Sequence, residues 1–181
     1  MRLPFLLVLF AAGCAPGHGL PDLPEASSNN YRLGPGDAVR LITFGEEALT
    51  GEFHVNDSGA IAVPLIGSVR AAGQTTRQLE AAVVEALKRA KMLRDPSVVA
   101  EITAYRPIFV LGEVNKPGQY PYQPGMTVVT AAAVAGGFTY RAIEAYASVV
   151  RTKDGQAIEG KAARQAFVQP GDVITIFERR F

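Results

Sequence analysis

The chain has few of the residues that build catalytic centres and disulfide networks. It contains 181 residues but only one cysteine, Cys14, and two histidines, His18 and His54. A lone cysteine excludes an intramolecular disulfide, so the hydrophobic core must hold the fold. A nucleophilic or metal-assisted reaction needs His, Cys, Asp or Glu side chains that converge on one point. His18 falls in a segment without periodicity and His54 in a predicted surface strand, so we predict no enzymatic activity, metal ion or cofactor.

A pair of adjacent carboxylates does not change this prediction. Sequence alone leaves open two carboxylates for glycosidic cleavage, and Glu46 and Glu47 are neighbours. On an extended strand adjacent side chains point to opposite faces, so these two would point apart. A solvated loop is the better interpretation of Glu46 and Glu47.

Charge of either sign is not in excess. The chain has 18 Lys and Arg against 17 Asp and Glu, and removal of residues 1–13 takes Arg2 and leaves 17 of each. Nucleic-acid binding requires clustered Lys and Arg, so no nucleic acid is expected as a partner. After residue 13 no run is apolar enough to cross a bilayer core, which needs about twenty apolar residues. The overall composition is that of a globular chain.

The amino-terminal residues have the layout of a bacterial lipoprotein signal peptide. Arg2 precedes an apolar run from Leu3 to Ala12, and small residues lead to Cys14. We predict a signal peptide over residues 1–13 and a diacylglycerol thioether on Cys14. An ordinary secretory signal with a spare cysteine is the alternative, because Ala11 stands where lipoprotein signals usually carry Leu. Lipoproteins of the class it resembles are held in the inner membrane by Asp after the cysteine, so Ala15 implies outer-membrane anchoring, facing the periplasm.

A first domain is predicted over residues 31–105, after a tether at residues 14–30 rich in Pro, Gly, Ser and Asn. Apolar alternation after a Gly-Pro-Gly-Asp turn predicts a strand with Val39, Leu41 and Thr43 on one face. The segment FHVNDSGAIAVPLIGSV predicts a hairpin that turns at residues 56–59, with Pro64 at an edge or a bulge. These patterns indicate a half-buried sheet.

A helix follows this sheet in the predicted first domain. Thr75 and Gln78 form the pattern of a capping box, and apolar residues from Leu79 to Ala90 recur at helical spacing. We interpret the charged residues between them, including Glu80, as a solvated face. A strand after Asp95-Pro96 would return beside the first strands, and the result is a small α+β sandwich.

A second, β-grasp-like domain is predicted over residues 106–181. IFVLGEV predicts a strand, residues 115–118 a turn, and QYPY a second strand. A short Ala-rich helix from Thr127 to Ala135 should end at two glycines. Strands around 147–151 and at the end of FVQPGDVITIF complete the domain. This last segment repeats the Pro-Gly-Asp of the first domain, and we interpret Asp37 and Asp172 as turn caps.

The order of these motifs resembles the Wza-type outer-membrane polysaccharide export family. YRLGPGD, VPLIGSVRAAGQT and LRDPSVV are similar to its polysaccharide export domain, and VLGEVNKPGQYPY with AAAVAGGF is similar to the soluble-ligand-binding β-grasp repeat that follows it. The resemblance covers nearly the whole chain after residue 13. The structural motif positions are Gly34, Pro35, Gly36, Asp37, Pro64, Gly67, Pro117, Gly118, Gly136, Gly137, Pro170, Gly171 and Asp172.

The resemblance implies a homo-oligomeric ring whose lumen carries capsular polysaccharide or exopolysaccharide. It also implies an inner-membrane partner, a polysaccharide copolymerase often linked to a tyrosine kinase. Long family members end in an amphipathic helix that forms an outer-membrane pore, whereas this sequence stops at Phe181 without that pattern. We therefore expect either a separate outer-membrane pore protein or a periplasmic ring held by lipid alone. The absence of Trp suits a lumen that binds polymer weakly.

Two other functions stay open at the level of sequence. The β-grasp-like domain could bind a soluble ligand or glycan in a monomeric lipoprotein, and a deep pocket lined by Tyr120, Tyr122 or Tyr140 would favour that alternative. The protein could also be a structural lipoprotein that connects envelope layers and transports nothing. Neither alternative accounts for the ordered export motifs, so polysaccharide export is the preferred interpretation.

Overall fold

A computed structural model of the chain describes residues 16–24, 31–153 and 155–179. It has an α+β fold with two hydrophobic cores, one within residues 33–100 and one within residues 108–176. We call residues 31–104 the first unit and residues 108–179 the second unit. The regular elements are β1 (Ala38–Thr43), β2 (Gly51–His54), β3 (Ala60–Val63), β4 (Gly67–Arg70), α1 (Thr76–Arg89), β5 (Val98–Ala104), β6 (Ile108–Gly112), β7 (Gly118–Tyr120), α2 (Val128–Val134), β8 (Ala142–Lys153), β9 (Gln156–Ala163) and β10 (Val173–Glu178).

The first unit packs helix α1 against a three-stranded antiparallel sheet of order β2-β1-β5. The predicted face of β1 is confirmed, because Val39, Leu41 and Thr43 are all buried. The strand after Pro96 returns beside β1, also as predicted. Alternation of period two thus places one side of β1 in the core and leaves Arg40 exposed on the other.

The predicted hairpin between residues 53 and 65 is wrong in its strand pairing. The chain does turn at 56–59, where the Asn56 side chain accepts the Ala60 N–H at 3.0 Å. However, β2 pairs with β1, while β3 pairs with β4 in a separate two-stranded sheet. The turn therefore passes the chain from one sheet to another. Pro64 lies in the turn between β3 and β4 rather than at a strand edge or a bulge, since a residue without an N–H fits a tight connection.

Helix α1 begins with the predicted capping box at Thr75 and Gln78. Leu79, Val83 and Leu87 are buried along its inner face. Glu80 is not part of a purely solvated face, because its carboxylate accepts the Ala100 N–H of β5 at 2.9 Å. A charged acceptor for a strand N–H stabilises the fold by about 1.5 to 3 kcal/mol. Helix and sheet of the first unit are thus joined by a polar contact as well as by the apolar core.

The second unit is a mixed five-stranded sheet of order β7-β6-β10-β8-β9. The central strands β6 and β10 are parallel and the other pairs are antiparallel. Helix α2 confirms the predicted Ala-rich helix, with Thr127 as its N-cap and two glycines of positive φ after it. Strand β9 was missed, because its polar and small residues show no regular apolar alternation. Gly112, the last residue of β6, has φ of 80°. A Cβ added at this position would overlap the Ile176 carbonyl oxygen.

Residues 16–24 are packed against the second unit instead of forming a free tether. Leu23 donates its N–H to the Lys161 carbonyl at 2.9 Å, and the Lys161 N–H donates to the Pro21 carbonyl at 2.8 Å. At the other end of this segment, the Tyr146 hydroxyl donates to the Pro16 carbonyl at 2.9 Å. Residues 21–23 thereby cover the outer edge of β9, which would otherwise present unpaired backbone groups. The remaining tether positions and Cys14 lie outside the described residues.

Candidate functional site

The predicted motif residues fall into separate places, and only the two Pro-Gly-Asp turns come together. Pro64 and Gly67 belong to the β3–β4 turn in the first unit. Pro117 and Gly118 precede or begin β7, and Gly136 and Gly137 follow α2. In contrast, the turn at residues 34–37 and the turn at residues 169–172 face each other across the junction of the two units, because Arg106 contacts both.

The first turn is closed by both the backbone and the side chain of Asp37. Its N–H donates to the Gly34 carbonyl at 3.1 Å, and its carboxylate accepts the Gly34 N–H at 2.8 Å. Gly36 has φ of 92°, as a type II turn requires after Pro35. Asp37 is fully buried. Its carboxylate is therefore held in place by the turn that also buries it.

The second turn repeats this geometry. The Asp172 N–H donates to the Gln169 carbonyl at 3.0 Å, and the Asp172 carboxylate accepts the Gln169 N–H at 2.7 Å. Gly171 has φ of 87° and follows Pro170. Both aspartates are thus turn caps, but both are also buried carboxylates that need a cationic or hydrogen-bonding partner.

Arg106 joins the two turns. Its backbone N–H donates to Asp37 Oδ1 at 2.8 Å, its Nε donates to the Pro170 carbonyl at 2.9 Å, and its guanidinium lies 3.5 Å from Asp37 Oδ2. Two glycines leave room for it: a Cβ at Gly34 would overlap the guanidinium, and one at Gly171 would lie 2.8 Å from Nε. One side chain in the connection between the units is therefore bonded to both. This role of Arg106 was not predicted from the sequence, because Asp37 and Pro170 lie 69 and 64 residues away from it.

A row of tyrosines crosses the same junction. The Tyr31 hydroxyl donates to Asp37 Oδ2 at 2.5 Å, and the rings of Tyr31, Tyr105 and Tyr122 meet edge to face with centroids 5.1 and 5.3 Å apart. Burial, followed by the hydrogen bond to Asp37, raises the pKa of Tyr31 far above its ordinary value. Burial also raises the pKa of Tyr105 and of Tyr122. These hydroxyls thus remain protonated at neutral pH.

Asp172 has its cationic partner inside the second unit. Arg151 donates from Nε to Asp172 Oδ1 at 3.0 Å and from its second terminal nitrogen to Oδ2 at 2.7 Å, and both residues are buried. The remaining guanidinium donors reach the Pro24 carbonyl at 3.2 Å and the Phe167 carbonyl at 3.3 Å. This pair is bidentate and nearly dry, so its two members depend on each other.

An open cleft of about 1060 Å³ lies along this junction. Arg32, Arg70 and the first turn line one side, whereas Tyr122, Phe167 and the second turn line the other. Of the three tyrosines proposed for a pocket, only Tyr122 lines it. Tyr140 is 87% exposed, and the Tyr120 hydroxyl donates to the Lys116 carbonyl.

The polar side chains at the junction form hydrogen bonds and an ion pair between the two units. In the described ranges no three His, Cys, Asp or Glu side chains are grouped as a metal ion would require. Within the same ranges no helix has the length and apolarity to span a membrane. Glu46 and Glu47 lie in and beside a short 3-10 turn at the surface.

Comparison with known proteins gives the class to which this fold belongs. Residues 25–103 match the family of polysaccharide biosynthesis/export proteins, and residues 107–160 match the SLBB domain family. The chain therefore belongs to the Wza-type polysaccharide export protein family, which is a transport family and not an enzyme family.

Relatives from three bacteria extend this assignment. The chain is 34% identical to the exopolysaccharide production protein ExoF of Rhizobium meliloti over 72% of this chain and 32% of that protein. It is 30% identical to the EPS I polysaccharide export outer membrane protein EpsA of Ralstonia nicotianae over 64% of this chain and 31% of that protein. It is 31% identical to the polysialic acid transport protein KpsD of Escherichia coli over 50% of this chain and 16% of that protein. The chain thus spans a third or less of these relatives.

Proposed function

We propose that this chain is a lipid-anchored subunit of a conduit that exports capsular polysaccharide or exopolysaccharide. The observation that carries the proposal is the order of an export unit and an SLBB unit joined through Arg106. Such a joint gives the two units a fixed relative orientation, which a subunit of a regular assembly needs. We place the domain boundary at this residue, with residues 31–105 before it and 106–181 after it.

The conduit would be a ring of identical subunits. Closed rings need heterologous interfaces, in which two different faces of each subunit meet. Candidate faces carry exposed apolar side chains: Phe44 is 84% exposed and Leu65 is 69% exposed on the first unit, and Phe109 and Leu111 point outward from β6 on the second. Apolar side chains on both units support contacts between neighbouring subunits through both units.

Cys14 would hold the ring at the outer membrane from the periplasmic side. The family resemblance supports a polysaccharide copolymerase, often linked to a tyrosine kinase, as the inner-membrane partner. A Cys14→Ala variant should stay unlipidated and leave the membrane fraction. Full retention of this variant in the outer membrane would refute anchoring by lipid alone.

The deciding experiment is secretion by a deletion strain. Surface and secreted polysaccharide should fall strongly without this protein and return when the chain is expressed again. Expression of an unrelated envelope lipoprotein in the deletion strain serves as the negative control, because it should not restore secretion. Unchanged polysaccharide in the deletion strain would argue against an export role.

A monomeric ligand-binding lipoprotein is the second candidate, and the cleft beside Tyr122 favours it. The two candidates differ in assembly. Mass photometry of the lipidated protein in detergent should give a closed oligomer for a conduit and a monomer for a receptor. A monomer together with normal secretion would select the receptor.

A further inference from the structure

The cleft between the units has two chemically different walls. The wall from the first unit carries Arg32 and Arg70, whose side chains are exposed. Arg32 is positioned by a 2.6 Å hydrogen bond to the Gly73 carbonyl, and Arg70 ends strand β4. The wall from the second unit carries the rings of Tyr122 and Phe167, the latter 47% exposed. Two exposed arginines on one side of the cleft thus lie across open space from two aromatic rings on the other.

The positive charge of the cleft comes from this first wall. Among the described residues, Arg106 and Arg151 are neutralised by Asp37 and Asp172, whereas no carboxylate forms an ion pair with Arg32 or Arg70. Asp57 is the one acidic residue among those described as lining the cleft. Two guanidinium groups therefore face one carboxylate, and they keep donors available for an anionic group.

We propose that this cleft binds a carboxylate-bearing sugar unit of the exported polymer. Arg32 and Arg70 bind the carboxylate, because a guanidinium presents paired donors that match its two oxygens. Tyr122 and Phe167 contact the apolar face of the pyranose ring, as flat aromatic rings do in sites that combine apolar walls with a few polar groups. The inference rests on the proposed export function and names the substrate class.

The size and openness of the cleft fit a passing polymer. Its volume of about 1060 Å³ is at the upper end of ligand sites, so a short stretch of chain fits rather than one sugar. Ion pairs at an exposed surface are individually weak, so we expect weak and readily reversible binding of the polymer. Binding of this strength orients the polymer without stopping its movement.

The test is a nuclear magnetic resonance titration of the full chain with oligogalacturonate, an acidic probe. A neutral malto-oligosaccharide of equal length is the matched ligand control. The double variant R32Q/R70Q should bind the acidic probe about tenfold more weakly, and the Arg77→Gln variant, changed on the exposed face of α1, should bind normally. Added salt should weaken binding to the wild type. Equal binding of both probes, no binding of oligogalacturonate, or an unchanged R32Q/R70Q variant would overturn the proposal.

Failure of this inference is distinguishable from failure of the export function. If the deletion strain loses polymer but the purified chain ignores oligogalacturonate, only the acidic-sugar site is refuted. If the acidic probe binds through Arg32 and Arg70 but the deletion strain secretes normally, the assignment of the ligand to an exported polymer is refuted. Reduced secretion in an R32Q/R70Q strain, with normal protein levels, would support both.

Discussion

The two Pro-Gly-Asp turns have the same backbone geometry and different roles. In each, a buried aspartate caps a turn with a glycine of positive φ. Asp172 is paired within its own unit by Arg151, whose side chain is 6% exposed, whereas Asp37 is paired across the junction by Arg106, whose side chain is 25% exposed. Turn chemistry thus supplies a buried carboxylate in both places. The position of the arginine decides whether it stabilises one unit or joins two.

Arg151→Ala should cause the largest loss of stability. This change leaves the Asp172 carboxylate buried without a countercharge, and loss of one partner of a buried pair costs about 3 to 5 kcal/mol. Urea unfolding should show the loss in the second unit. A cost below about 1 kcal/mol would mean that the pair contributes no more than an exposed ion pair does.

Arg106→Ala should reduce the free energy of unfolding less than Arg151→Ala does, but it should change the overall shape of the molecule more. The backbone N–H to Asp37 remains. The lost contacts are one hydrogen bond to Pro170, one partly exposed ion pair and a cation–π contact with the Tyr31 ring, together about 2 kcal/mol. The units should then move relative to each other, which small-angle scattering would detect as a larger radius of gyration. An unchanged radius would show that Arg106 does not fix the orientation of the units.

A matched variant checks that the guanidinium is responsible. A methyl group at Gly34 would displace it, so Gly34→Ala should reproduce the scattering change of Arg106→Ala. The double variant should add little to either single change, because both remove the same contact. Additive effects of the two changes would show that Gly34→Ala does not act through Arg106.

Tyr31→Phe should cause the smallest loss of stability at neutral pH. The difference in stability between this variant and the wild type should also change with pH. It removes one hydrogen bond to Asp37, worth about 1 kcal/mol. Because folding raises the pKa of Tyr31, its stabilising contribution is full below the unfolded-state pKa of about 10 and is lost as the pH rises toward the folded-state value. The wild type should therefore lose stability above pH 10 more steeply than Tyr31→Phe. Parallel curves would exclude Tyr31 as the source.

Local patterns in the sequence predicted the parts of the fold that depend on neighbouring residues. The alternation in β1, the capping box at Thr75 and the two glycines that end α2 were predicted because each pattern involves residues within a few positions of one another. The pairing of β2 with β1 was not, since a turn at 56–59 fits a hairpin and a change of sheet equally well.

The candidate site was less predictable than the fold. Both aspartates were identified as turn caps, but their burial and their arginines depend on contacts distant in sequence. Arg106 bonds to Asp37 and to Pro170, which are 69 and 64 residues away. The cleft itself exists only once the two units are placed side by side. The packing of residues 16–24 against the second unit was not predicted either. Leu23 bonds to a residue that is distant in sequence, and the polar residues and prolines around it do not indicate a buried segment.

The space that Arg106 occupies also limits how the units can be exchanged. It depends on a missing side chain at Gly34 in one unit and at Gly171 in the other. A chimera that grafts a foreign second unit onto this chain would keep its own cores and still lose the joint unless the graft supplies that glycine. The smallest transferable module of this protein is therefore the pair of units together with the three positions that connect them.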